Sequence, residues 1–152
     1  MLRAMAGPTA SVTNAPAFSV YLNGAQAVAS STGTKVNLNI VEYNFGGSLV
    51  NGAWTPSVAG YYTVMASGRA GGSGVTQMWF MVRKNGSDFA RLIGDNTGGV
   101  THSGACGIYL NGTTDFIELA GFVTATSGAI FETIDTSGLY GPRMSAFLSR
   151  AA

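Results

Sequence analysis

The sequence predicts an all-β protein, an antiparallel jelly roll or sandwich of about eight to ten strands, and three observations carry this. Asn-Gly, whose two residues tolerate the positive φ that a tight hairpin needs, occurs four times, at 23–24, 51–52, 85–86 and 111–112. Between these turns apolar and polar residues alternate, as they do on strands buried on one face. No long stretch shows a 3.6-residue apolar period with helix caps.

The chain opens with MLRAMAGPTASVTNAP, residues 1–16, which lacks apolar periodicity and holds Pro8 and Pro16. It reads as a flexible arm and not as a secretory signal, because Arg3 is not followed by a sustained apolar run. A single domain, residues 17–152, follows. AFSVYL (17–22) aligns Phe18, Val20 and Leu22, and KVNLNIVEY (35–43) aligns Val36, Leu38 and Ile40. After Pro56 and Gly60 comes a strand with Tyr62, Val64, Ala66, Gly68 and Ala70 on one face and Tyr61, Thr63, Met65, Ser67 and Arg69 on the other. MWFMVRK (78–84) is apolar on both faces, which places it at the centre of a sheet or in an interface. ACGIYLNG (105–112) aligns Cys106, Ile108 and Leu110, DFIELAGFV (115–123) follows, and RMSAFLSR (143–150) closes the chain.

Charged residues make up 10% of the 152, against roughly 25% in an ordinary soluble protein. The longest apolar run, MWFMV, is far short of the ~20 residues of a membrane helix, so no membrane insertion is expected. Surface so poor in charge implies cover by copies of the chain or by a partner. The net charge of +1 gives no basic footprint for nucleic acid. A single cysteine, Cys106, excludes an internal disulfide.

The order of these segments resembles the tumour necrosis factor-like jelly roll, in particular the branch containing the complement globular head and its bacterial and phage relatives. FSVYLNG resembles that family's opening strand. VEYNFGGSLVNGAWTPSVAGYYTV resembles its pattern of an aromatic, a glycine turn, Trp, then Pro, Gly, X, Tyr, here Pro56, Gly60, Tyr61 and Tyr62. FMVRKNGS, LNGTTDFIELAGFV and SAFLS resemble its later strands. Thr114-Asp115 departs from the Gly-Asp the family often has before its second-last strand.

The resemblance implies a compact homotrimer. The taper of the apolar face from Tyr62 to Gly68 then has two explanations: bulky side chains where a wedge-shaped subunit is wide and small ones near a three-fold axis, or simple entry into a loop at 69–76. On the interface reading, Tyr62, Val64, Phe80 and Phe147 form the trimer contact. The low charge fits a closed ring of heterologous contacts.

Catalytic constellations are not evident. His102 and Cys106, if on one strand, share a face about 13 Å apart at 3.3 Å per residue, beyond hydrogen-bond reach. Asp115 and Glu118 fall on opposite faces, the other acids are isolated, and GRAGGSG (68–74) matches no phosphate-binding pattern. The chain therefore reads as a non-enzymatic protein without a cofactor.

Function falls to surface and assembly. The expectation is a virion structural protein: a trimeric fibre, tail-tip or capsid-decoration protein on a bacteriophage surface, assembled in the host cytoplasm. The N-terminal arm would anchor it to the particle, and its far end would meet a host glycan or receptor. The alternative is a carbohydrate- or receptor-binding adhesin module of a spore or cell surface. The loops assigned to recognition are 69–76, 94–102 and 126–141. The last holds Phe131, Asp135 and Tyr140 as ligand-binding candidates, against a reading in which Phe131 and Ile134 belong to the core of an extra strand. Three copies of His102 meeting on the axis would offer a zinc site.

Overall fold

The computed structural model describes residues 15–95, 98–133 and 141–152. It is an antiparallel two-sheet sandwich, and no helix occurs among the described residues. Thirteen strands form among the described residues, more than the eight to ten expected, because short pairings add to the main ladders.

The first sheet contains β1 (Ala17–Tyr21), β2 (Gln26–Ala27), β4 (Ile40–Phe45), β7 (Gly60–Ser73), β10 (Thr101–Leu110), β12 (Ser127–Phe131) and β13 (Arg143–Ala151). Its order is β2-β12-β7-β13-β1-β4, with β10 on β7. The second sheet contains β3 (Thr34–Lys35), β5 (Gly47–Val50), β6 (Ala53–Pro56), β8 (Gln77–Lys84), β9 (Ser87–Asp95) and β11 (Ile117–Thr124). Its order is β5-β6-β11-β8-β9, with β3 on β11.

Two of the four Asn-Gly pairs make the hairpins expected of them. Asn51 and Gly52 (φ 49° and 72°) join β5 to β6, and Asn85 and Gly86 (φ 53° and 78°) join β8 to β9. Both residues of each turn take the left-handed conformation, whose twist matches the flanking strands. The pair at 111–112 instead leads into a side-chain-capped turn. Asn111 Oδ1 accepts from the backbone N–H groups of Thr113, Thr114 and Asp115. Asp115 accepts from Asn85 Nδ2 at 2.8 Å and pairs with Lys84 Nζ at 2.9 Å, so the two turns are tied together. That network holds the Asp115 carboxyl below its usual range, the Asn85 bond contributing most.

The core lies between the sheets. Phe18 stacks on Trp54 at 4.5 Å and Trp54 meets Tyr62 edge-on at 5.4 Å, filling one end. Phe80 and Phe131, 5.4 Å apart, fill the other. The taper along β7 follows from this. An alanine Cβ at Gly68 would lie 2.3 Å from the Phe80 ring, so the strand goes bare where that ring crosses to it. The expected loop at 69–76 is also corrected, since β7 continues to Ser73, pairing with β12 from Ala70 onward.

β8 runs between β11 and β9, so of the two places its two apolar faces allowed it takes the centre of a sheet. Met78, Phe80 and Val82 point into the core. On the outer face Trp79 stacks on Phe122 at 3.9 Å and 7°, with the Arg91 guanidinium 4.0 Å from its ring. At the other end of the chain, Pro16 belongs to the fold: its carbonyl accepts from Leu148 N–H and its ring packs on Gly46.

Candidate functional site

The first sheet carries an outward face that no other part of the described chain covers. Alternation along β7 turns Tyr62, Val64 and Ala66 inward and leaves Tyr61, Thr63, Met65 and Ser67 outward. The register continues this across the sheet. Phe147 lies opposite Thr63, Ala17 opposite Phe147, and Phe45 opposite Ala17. The next row runs Ala105, Met65, Ser145, Ser19, Tyr43. Tyr61 faces Tyr109 on β10, their rings 5.4 Å apart.

This face is apolar and uneven. Tyr43, Phe45, Tyr61, Tyr109 and Phe147 are all exposed large side chains, Tyr61 by 54% and Phe147 by 44%. Between them Met65, Ser67, Ser103, Ala105, Arg143 and Ser145 line a shallow hollow of about 370 Å³. One ion pair is set into it: Arg143 Nη2 donates to Glu42 Oε1 at 2.8 Å, and Ser19 Oγ donates to Glu42 Oε2 at 2.6 Å. The Arg143 guanidinium also sits 5.7 Å from the Tyr21 ring.

The structure divides the four residues expected at an interface. Tyr62, Val64 and Phe80 are core residues, with Tyr62 1% and Phe80 3% exposed, so no second copy can reach them. Tyr62 donates its hydroxyl to the Val58 carbonyl at 2.6 Å, and burial pushes its pKa up to about 12. Phe147 alone stands on the outward face. The face had been visible in the sequence as the alternate set Tyr61, Met65, with Tyr109 on a later strand. Alternation separates an apolar face from a mixed one but does not say whether the apolar face packs inside the subunit or against a second copy.

The other candidates fare similarly. Phe131 is fully buried against Phe80, on an extra strand, so its ring is unavailable to a ligand. Asp135 and Tyr140 lie outside the described residues. Glu132 pairs with Arg69 Nε at 2.6 Å. His102 and Cys106 do share one face of β10, but it is the inner one, His102 lying opposite Gly68 and Cys106 opposite Val64. His102 is thus turned away from the outward face of the first sheet. Burial pushes the Cys106 thiol up from its usual range. Among the described residues no group of three or more His, Cys, Asp or Glu side chains could hold a metal.

No protein-family model and no curated protein matches the chain. Solved structures do. The globular domain of zebrafish complement 1qA protein is 16% identical with a TM-score of 0.58, the alignment covering 90% of this chain and 99% of that one. Eiger TNF from S. frugiperda is 11% identical with a TM-score of 0.62, covering 91% and 93%. Murine APRIL is 12% identical with a TM-score of 0.59, covering 88% and 98%. At these identities the likeness establishes the fold: this chain is a jelly roll of the tumour necrosis factor and complement globular-head type.

Proposed function

We propose that this jelly roll is a non-enzymatic structural subunit that assembles as a homotrimer through the outward face of its first sheet, on the surface of a bacteriophage particle. The observation that supports the assembly is that face itself, five exposed aromatic side chains around a small-residue hollow. Soluble monomers rarely leave contiguous apolar patches larger than a few hundred Å² uncovered. The unevenness favours a ring. Protruding rings on one part of the patch and a hollow on another make a heterologous contact, and heterologous contacts that close give cyclic assemblies. Phe147 belongs to this interface, together with Tyr61, Tyr109, Met65 and Phe45.

The setting rests on the sequence: few charges and many Gly, Ser, Thr and Asn residues in a jelly roll of this type suit a fibre, tail-tip or capsid-decoration protein. The segment that precedes Pro16 would tether three subunits to one particle and gain avidity from doing so, with the far end left to meet the host.

Sedimentation of the purified chain at micromolar concentration should give three times the 15.6 kDa subunit mass. Tyr61→Asp combined with Phe147→Asp should give a folded monomer, because both side chains point away from the core and charge cannot be buried unpaired in the contact. A monomeric wild type, or a double variant that still assembles, would refute the interface. Absence of the chain from purified particles of the host's phage would refute the setting.

A further inference from the structure

We infer a second site on the other side of the sandwich: a groove that takes a neutral polyhydroxylated ligand, a short glycan. Two hollows adjoin there, one of about 540 Å³ and one of about 320 Å³, sharing Lys35 and Asn51 as a common wall. Both fall within the ~300–1,000 Å³ typical of small-ligand sites. The first lies between residues 35–41 and the β5–β6 hairpin, lined in part by Asn37, Val41 and Leu49. The second lies on the outer face of the second sheet, lined in part by Ser48, Thr55, Phe116 and Glu118.

The chemistry of the lining selects the ligand. Lys35 Nζ and Glu118 Oε2 are 2.8 Å apart, and the Glu118 side chain is only 9% exposed. With Glu118 nearly buried and Lys35 32% exposed, the pair contributes little net stability, and it leaves the groove without net charge. An anion would meet Glu118 and a cation would meet Lys35. The side chains of Asn37, Ser48, Asn51 and Thr55 make no hydrogen bond among the described residues, so a purely apolar ligand would bury these polar groups unpaired. Carboxamides and hydroxyls both donate and accept, which is what a sugar hydroxyl also does. Val50 and Phe116 beside them offer apolar surface to the C–H face of a sugar ring. Two adjoining hollows suit at least two sugar units.

The groove does not depend on the assembly proposed above. Its second hollow faces away from the first sheet, so a monomer would retain it.

The test uses the full chain with a panel of neutral disaccharides (maltose, lactose, cellobiose, chitobiose), followed by NMR and calorimetry. Binding by at least one should shift the amide signals of Asn37, Ser48, Asn51 and Thr55. Asn51→Asp keeps a residue tolerant of the turn's positive φ yet replaces a donor by a charge. It should weaken binding by about tenfold or more, as should Asn37→Ala, while circular dichroism stays unchanged. The assembly-breaking double variant should bind like the wild type. No binding across the panel, shifts confined to other residues, unchanged affinity in both variants, or tighter binding of a sialylated or sulfated sugar would each overturn the proposal.

Discussion

Replacing Gly68 by alanine tests the internal explanation of the tapered strand. The added Cβ would lie 2.3 to 2.5 Å from three atoms of the Phe80 ring. Ordinary carbon contacts are about 3.5–4.0 Å, so the ring would have to retreat by more than about 1 Å. It has little room, since Phe131 packs beside it and the Gly121 backbone is close enough that a Cβ there would come within 2.9 Å. Overpacking of this kind costs about 1–3 kcal/mol. Against it stands a gain of about 0.4–1 kcal/mol from reduced freedom of the unfolded chain, because Gly68 does not need positive φ. The expected net effect is a loss of up to about 2.5 kcal/mol, centred on about 1.3 kcal/mol. In a Phe80→Leu background the ring is gone, the first effect vanishes, and Gly68→Ala should become neutral or mildly stabilising. Urea denaturation of the four proteins at one fixed protomer concentration measures this coupling. Costs that add within about 0.5 kcal/mol would refute the contact. A Gly68→Ala protein as stable as wild type but unable to assemble would restore the reading in which the taper faces a symmetry axis.

Two further predictions concern the turn network. The folded Asp115 carboxyl is held below its ordinary value, so its stabilisation is present above that value and is lost as pH falls through the folded one. Asp115→Asn should therefore flatten the acid limb of the stability–pH curve while leaving its slope near neutrality unchanged; an acid limb identical to wild type would contradict this. Asn85 supplies both a positive φ and side-chain bonds to Asp115 and to the Phe116 N–H. Asn85→Gly keeps the turn and should lose about 0.5–1.5 kcal/mol per bond, and Asn85→Ala should lose about 1 kcal/mol more through backbone strain. Thermal melts that rank alanine above glycine would show that the turn geometry has been misjudged.

The sequence by itself determined the local chemistry. Alternation set the strands, the Asn-Gly pairs at 51–52 and 85–86 set two hairpins, and an apolar run on both faces narrowed β8 to the middle of a sheet or an interface. These follow from rules that act within a few residues, namely side-chain period and tolerance of positive φ. The quoted motif order was enough to suggest the jelly roll, which the solved structures support. What lies inside was decided only by the tertiary structure. On β7 the sequence already marked the set beginning Tyr62 as the apolar one, but not whether that set packs inside the subunit or against a second copy. The choice fell to Trp54 and Phe18, which close over Tyr62 from strands far away in sequence, and to Phe80 and Phe131, which need the bare end of the same face. The same contacts turned three expected interface residues into core and left Tyr61, Tyr109 and Phe147 outside. The groove beside Glu118 was equally invisible, because Lys35, Asn51 and Glu118 sit on three separate strands and turns that meet only when the second sheet forms.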